Sequence, residues 1–232
     1  MNGMVTLLLL AMLASSILCI LVRSKPVVTV AMPICSAVLL AIGAALCVPV
    51  LGGDDGMFYI DAMSAVFMLL VAFIGLMASV YSRAYIGLEV SEGMVNHREQ
   101  GQYYSLLIVF ISVMMLTFTV RSMAIVWLGI GATTLVSTFL VGFYTKEEST
   151  EAAWKYIILC SVGITIALAG FTLVYASTVG VIDSGSSLDW PALMAAADSL
   201  DPTMMRMAMV LIIVGFGTKV GFVPMHTWLP DA

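Results

Sequence analysis

The sequence predicts an all-α integral membrane protein with about seven transmembrane helices. Of its 232 residues, 62% are hydrophobic and 10% are charged, and the mean hydropathy is +1.10. A soluble domain is about half apolar and about a quarter charged. In addition, apolar runs recur along the chain at lengths near the roughly 20 residues that a helix needs to cross a bilayer. A soluble fold of this size could not bury so much apolar surface.

Seven apolar segments are predicted to span the membrane, and together they form a single membrane domain over residues 1–232. The first segment is not typical of a secretory signal, because no Lys or Arg precedes it and it is longer than a signal core. We therefore interpret it as a permanent helix. The segments are residues 4–22, 27–50, 62–82, 104–120, 123–143, 156–178 and 207–229.

The connections between these segments are predicted to be exposed. They include a polar stretch at residues 83–102, the sequence "YTKEESTEAAWK", and a loop at residues 179–206. In that last loop, Asp189 is a predicted N-cap, with Pro191 in the first turn of a short helix. The neighbouring Trp190 favours a position at the membrane interface.

Basic residues predict the orientation of the chain. One set of connections carries six of the nine Lys and Arg residues, and the other set carries only Arg121 and Arg206. By the positive-inside rule, the N-terminus of this multi-pass protein of the inner (cytoplasmic) membrane faces out. The six cytoplasmic residues are Arg23, Lys25, Arg83, Arg98, Lys146 and Lys155.

Several functional classes receive no support from the sequence. No basic stripe with aromatic residues indicates nucleic-acid binding. No nucleophile–base pair, phosphate-binding glycine loop or paired carboxylate indicates an independent catalytic site. The cysteines lack metal-ligand spacing and are predicted to be buried apolar residues, so no metal site is expected in this chain. They are Cys19, Cys35, Cys47 and Cys160.

Lys219 is the most informative residue, because it lies twelve positions into the seventh predicted segment and therefore near mid-bilayer. A charged lysine there costs about 2.5–3.5 kcal/mol on insertion scales. One interpretation is snorkelling, in which the long side chain reaches the headgroups. The other is an amine that faces a polar, partly hydrated interior and exchanges a proton there. The central position favours the second interpretation.

The same segment carries residues that weaken a helix. Gly217, Gly221 and Pro224 lie close together in the second half of the segment. Proline has no backbone N–H and therefore cannot donate a hydrogen bond within the helix. Broken membrane helices often mark ion pathways. Gly217 and Gly221 also form a GxxxG pair, which is typical of close helix packing, and both roles are compatible. His226 is either a proton relay or a structural residue, and the sequence leaves both open.

Several stretches resemble one family of membrane proteins. "TKVGFVPMHTWLPDA" is similar to the seventh-helix signature of the antiporter-like proton-pumping subunits of complex I, Mrp-type cation/proton antiporters and membrane-bound group 4 nickel–iron hydrogenases. "FYIDAMSAVFMLL" and "YSRAY" resemble the third helix, and "EAAWKYIILCSVGITIAL" resembles the sixth. "WLGIGATTLVSTFLVGFY" resembles the fifth helix in the version found in hydrogenase-4 component F. These segments follow the family order across residues 58–232.

The resemblance implies a fourteen-helix fold built on two inverted five-helix repeats, each with a broken helix that bears a proton-carrying lysine. Residues 4–103 then correspond to three peripheral helices, and residues 104–232 to an incomplete first repeat. The carrier lysine corresponds to Lys219 and a second lysine to Lys155. From the residues alone, Lys155 is instead an interfacial anchor. The resemblance also implies partner subunits that carry a nickel–iron centre, iron–sulfur clusters or quinone, with a peripheral redox arm.

This sequence departs from the family pattern in two respects. The family has a fifth-helix glutamate that pairs with the carrier lysine, and the matching position here is Gly131. No acid lies inside a predicted span, and the substitutes left open are a water, another subunit, or the hydroxyl of Thr133 or Thr134, which carries no charge. The chain also ends where a further helix is expected, as in a split product, a fragment or a truncated sequence. Three hypotheses follow: a proton-translocating subunit, a conduction-deficient scaffold, and a cation/proton antiporter module.

Overall fold

The computed structural model describes residues 58–231, and residue 14 on its own. Apart from residue 14, the predicted spans 4–22 and 27–50 lie outside the described residues. Five helices within residues 58–231 are long and apolar enough to cross a membrane, which agrees with the predicted all-α membrane class. The helices are α1 (Ala62–Ser91), α2 (His97–Thr119), α3 (Met123–Val141), α4 (Glu147–Thr178), the short α5 (Trp190–Ala195) and α6 (Pro202–Val220).

Three helices extend well beyond their predicted apolar spans. Helix α1 continues to Ser91 and α2 begins at His97, so most of the connection predicted at residues 83–102 is helical. Helix α4 begins at Glu147 rather than at residue 156. Its first turn carries Glu147 and Glu148, whose negative charges stabilise the positive N-terminal end of the helix dipole. A hydropathy pattern detects only the apolar part of a helix, whereas backbone hydrogen bonds continue through its polar ends. As a result Glu89, outside every predicted span, is a buried acid within α1.

The chain divides after Val120 into two compact units. The described part of the first unit is an antiparallel pair, α1 and α2. The Asp61 side chain caps α1 by accepting a hydrogen bond from the Ser64 amide at 2.6 Å. Polar contacts join the two helices, because the Tyr104 hydroxyl donates to the Ser82 carbonyl at 3.2 Å and the Tyr103 hydroxyl lies 3.0 Å from Ser82 Oγ.

The second unit depends on close contact between α4 and α6. A Cβ added at Gly163 would overlap the Thr218 side chain and lie 2.5 Å from the Gly215 carbonyl oxygen. A Cβ at Gly170 would lie 2.8 Å from the Ala208 carbonyl oxygen. These glycines therefore let two backbones approach as small residues do in membrane helices.

The predicted GxxxG pair does not make this contact. A Cβ at Gly217 would meet the side chain of Phe222, which follows α6 in the same chain, at 2.8 Å. A Cβ at Gly221 would have only van der Waals neighbours, from the same part of the chain. The packing interpretation of Gly217 and Gly221 is therefore wrong for the described residues, and Gly163, Gly170 and Gly215 take that role.

The predicted short helix is present as α5, with Asp189 at its N-cap position and Pro191 in its first turn. The Asp189 side chain does not cap this helix. It forms an ion pair with Arg121 instead, with 2.8 Å between Nε and Oδ2. Backbone bonds from Trp190 N to Arg121 O and from Met123 N to Leu188 O reinforce the contact. The start of α3 is thus tied to the loop that leads into α6.

We expect Gly163→Ala to destabilise the protein by about 1–3 kcal/mol, because the added methyl group overpacks the contact between α4 and α6. Gly131→Ala is the matched control, since a Cβ at Gly131 meets nothing within 4 Å. Both changes bring the same gain in helix propensity, so their difference isolates the packing term. Thermal unfolding of the purified protein in detergent measures it, and equal unfolding temperatures for the two variants would contradict this packing.

Candidate functional site

Lys219 lies at the end of its helix rather than in the middle of a continuous span. It is the eighteenth of the nineteen residues of α6, so the predicted span 207–229 is wrong at its C-terminal end. Gly221 ends the helix in the left-handed conformation, with φ 85° and ψ 36°, which glycine adopts without steric cost. Its N–H donates to the Gly217 carbonyl at 2.9 Å. Pro224, which has no N–H to donate, follows three residues later.

The Lys219 amine nevertheless reaches deep into the second unit. It donates to Thr134 Oγ1 at 2.9 Å and to the Tyr156 hydroxyl at 2.5 Å. Thr134 is the twelfth of the nineteen residues of α3. At 1.5 Å per residue, α3 has about the length needed to cross a hydrocarbon core, and the amine lies level with the middle of this helix. This geometry favours the interior-facing interpretation over snorkelling.

Tyr156 is the main partner of the amine, and several groups fix its position. Its side chain is buried, with 4% of the residue exposed. Its ring packs edge-on against Trp228, with centroids 4.8 Å apart, and Cys160 lies in the same buried cluster. Its hydroxyl lies 2.7 Å from Ser137 Oγ on α3. The Lys219 Nζ atom also lies 5.1 Å from the centre of the Tyr156 ring.

Lys155 occupies a different environment from Lys219. It lies within α4 rather than in the predicted connection, and 45% of its side chain is exposed. Its amine binds Glu151 Oε1 at 2.7 Å and Asp231 Oδ2 at 2.8 Å. Exposed pairs of this kind contribute little to stability. The interfacial-anchor role and the proton-transfer role of Lys155 both stay predictions.

His226 is half-buried in the segment that follows α6. Its Nδ1 atom is buried and has no hydrogen-bond partner among the described residues. A free imidazole nitrogen can accept or donate a proton, but within residues 58–231 no hydrogen bond joins His226 to Lys219. Its relay role therefore stays a prediction.

Gly131 lines an open groove of about 460 Å³ between α3 and α4, with Thr134, Ser161 and Thr165 among its polar neighbours. It precedes Thr134 by three residues and so lies on the same face of α3. Of the two hydroxyls that the sequence suggests as substitutes for a carboxylate, Thr134 contacts the amine. Thr133 Oγ1 donates to the Ile130 carbonyl instead.

Sequence reasoning missed Tyr156 and Ser137. The available signal was weak: Tyr156 follows Lys155 directly, and Ser137 belongs to the polar stripe "TTLVST" in an otherwise apolar helix. Among residues 58–231, no cluster of three His, Cys, Asp or Glu residues has the geometry to hold a metal ion. The chemistry that the described site supports is hydrogen bonding to, and proton exchange by, one amine.

Two family profiles match the chain. The profile of the NADH:quinone oxidoreductase/Mrp antiporter transmembrane region matches residues 120–232. The profile of the NADH-ubiquinone oxidoreductase (complex I) chain 5 N-terminus matches residues 56–91. The first profile covers α3 to α6 and therefore the whole lysine site.

Curated relatives have similar sequences. The hydrogenase-4 component F homolog of Methylacidiphilum infernorum (isolate V4) is 36% identical over 176 residues, which are 75% of this chain and 37% of the relative. The NADH-quinone oxidoreductase subunit N 2 of Rhizobium meliloti (strain 1021) is 32% identical over 177 residues, which are 76% of this chain and 34% of the relative. The aligned part is thus just over a third of each of these relatives.

Solved structures share the fold. A chain of the archaeal membrane-bound sulfane sulfur reductase superposes with a TM-score of 0.78 at 20% identity, covering 98% of this chain and 47% of that one. A chain of respiratory complex I from Thermus thermophilus gives 0.74 at 23% identity, covering 98% and 46%. A chain of the Mrp complex from Dietzia sp. DQ12-45-1b gives 0.77 at 18% identity, covering 100% and 44%. The solved structures show the shared fold, and the matching profiles and relatives show that the chain belongs to the antiporter-like membrane subunit family of complex I, Mrp antiporters and group 4 hydrogenases.

Proposed function

We propose that this chain is a proton-translocating membrane subunit of a group 4 membrane-bound nickel–iron hydrogenase or a related complex-I-like oxidoreductase, with Lys219 as the proton carrier. One observation carries the proposal: the Lys219 amine lies level with the middle of α3 and is held there by Thr134 and Tyr156. The names of the hydrogenase-4 and NADH-quinone oxidoreductase relatives support the type of complex.

The partners of the amine suit a carrier. A carrier must be stabilised in its charged form without being trapped in it. Hydroxyl oxygens accept hydrogen bonds from an ammonium group but bring no full negative charge. Lys155 and His226 would flank the carrier and connect it to one membrane face, and the His226 Nδ1, which has no hydrogen-bond partner among residues 58–231, supports that role.

The proposal includes the rest of the architecture. The chain would be a single membrane domain, the seven-span N-terminal half of a fourteen-helix fold, in the inner membrane with its N-terminus outside. The 44–47% coverage of the solved chains supports this proportion. Lipid and other membrane subunits would surround it. Redox chemistry would take place on partner subunits with a nickel–iron centre, iron–sulfur clusters or quinone, including a peripheral arm.

We expect Lys219→Ala to reduce proton translocation by about 10²-fold or more, the scale on which a positioned proton-transfer group acts. Lys219→Arg should fail similarly, because a guanidinium keeps its charge but does not release its proton. Proton uptake into vesicles that contain the assembled complex, followed with a pH-sensitive dye, measures the effect.

Lys146→Ala is the matched control for this experiment, because Lys146 is an exposed lysine of the same unit. Undiminished translocation in Lys219→Ala would rule out the carrier role. Proton flux that an imposed sodium gradient drives would instead assign the chain to the cation/proton antiporter modules, which the description of the matching profile names beside NADH:quinone oxidoreductase.

The second candidate function is a scaffold that no longer conducts protons, and Gly131 favours it because the fifth-helix carboxylate is missing. We expect Gly131→Glu to raise proton flux, because the groove has room for the side chain and places a carboxylate one turn from Thr134. The same vesicle assay measures this proton flux. Gly131→Gln is the control, because its side chain has a similar size and no charge. Equal flux in the unmodified protein, Gly131→Glu and Gly131→Gln would favour the scaffold.

A further inference from the structure

We propose that Tyr156, oriented by Ser137, is the positioning residue that holds the Lys219 amine. The transport consequence of this inference rests on the proposed function, whereas the positioning itself concerns only the amine and its neighbours. Three features of the described residues carry it: the direction of the hydrogen bonds, the burial of the tyrosine ring, and the titratable groups near the amine.

The direction of the hydrogen bonds follows from Ser137. A serine hydroxyl has one hydrogen, and Ser137 Oγ donates it to the carbonyl oxygens of Thr133 at 2.7 Å and Thr134 at 3.1 Å. Distance alone allows either oxygen to donate in the 2.7 Å contact between Ser137 and the Tyr156 hydroxyl, and with the serine hydrogen on the backbone Ser137 is the acceptor. Tyr156 therefore donates to Ser137, and its lone pairs remain for Lys219.

Thr134 is arranged in the same way. Its hydroxyl donates to the Ile130 carbonyl at 3.0 Å, so its oxygen can only accept from the Lys219 amine. Both neighbours of the amine thus present acceptors with their hydrogens turned away. An ammonium group is a pure donor, so the two hydroxyls match its charged form without supplying a counter-charge.

Packing fixes the tyrosine ring. Trp228 lies edge-on against it at 4.8 Å, and the indole Nε1 donates to the Thr218 carbonyl at 2.8 Å. That carbonyl belongs to the last turn of α6, immediately before Lys219. The same indole therefore holds both the end of α6 and the tyrosine that receives the lysine.

Few other groups compete for the amine. From α4, the nearest titratable side chains are Tyr156 and Cys160, and the described part of α3 contributes hydroxyls without a charge. Lys155, also on α4, forms ion pairs with Glu151 and Asp231 instead. Among the described residues, the Tyr156 hydroxyl is therefore the closest acceptor of the amine. Its orientation depends on Ser137, so a substitution of Ser137 changes it.

The test measures how fast the Lys219 amine reacts with acetic anhydride at fixed pH, by mass spectrometry of the full chain in lipid nanodiscs. We expect Tyr156→Phe to be labelled about tenfold faster, the scale of one lost hydrogen bond to a charged group. Ser137→Ala should increase the rate less. The double variant should react no faster than Tyr156→Phe, because Ser137 acts only through the tyrosine.

Tyr175→Phe, at an exposed position of α4, is the matched control. The labelling rate of Lys146 in each sample corrects for differences in the concentration of acetic anhydride. Labelling of Tyr156→Phe at the rate of Tyr175→Phe would overturn the inference. Should Tyr156→Phe fail to fold, Ser137→Ala decides: faster labelling that Ser137→Thr restores supports the inference, and an unchanged rate overturns it. Faster labelling combined with undiminished transport in Lys219→Ala would retain the positioning role and reject the carrier function.

Discussion

The second unit is organised around one constraint, an amine that must be hydrogen-bonded where water is scarce. Burying an ionisable group in an apolar region is costly unless partners replace its hydration. Lys219 meets this requirement with Thr134 from α3 and Tyr156 from α4. The end of α6 at Gly221 serves the same constraint, because it allows the chain to turn back and place Trp228 against the tyrosine.

Helix packing brings these partners together. Gly163 and Gly215 let α4 and α6 approach until their backbones touch, one turn before Lys219. A larger residue at either position would move the amine relative to the tyrosine. Membrane helices gain little from burying apolar side chains against one another, so small residues and interhelical hydrogen bonds carry the association. Here the close packing and the polar site depend on the same few residues.

Replacing a carboxylate by hydroxyls changes how such a site works. A carboxylate stabilises an ammonium group by charge, whereas Thr134 and Tyr156 stabilise it only by accepting hydrogen bonds. The Gly131 groove leaves the position of the missing carboxylate open. The distinction between carrier and scaffold therefore comes down to whether two oriented hydroxyls suffice for proton exchange.

The membrane class, the helix end near Gly221 and the family follow from the sequence alone, which also singles out Lys219 and Pro224. These are properties of local composition and of contiguous motifs, which a linear reading detects. The folded chain is needed to see that Tyr156 and Thr134 receive the amine, that Ser137 contacts the tyrosine, and that Gly163 rather than Gly217 packs the helices. Such contacts join residues up to 85 positions apart. No hydropathy pattern records them, because helix rotation and crossing set which side chains meet.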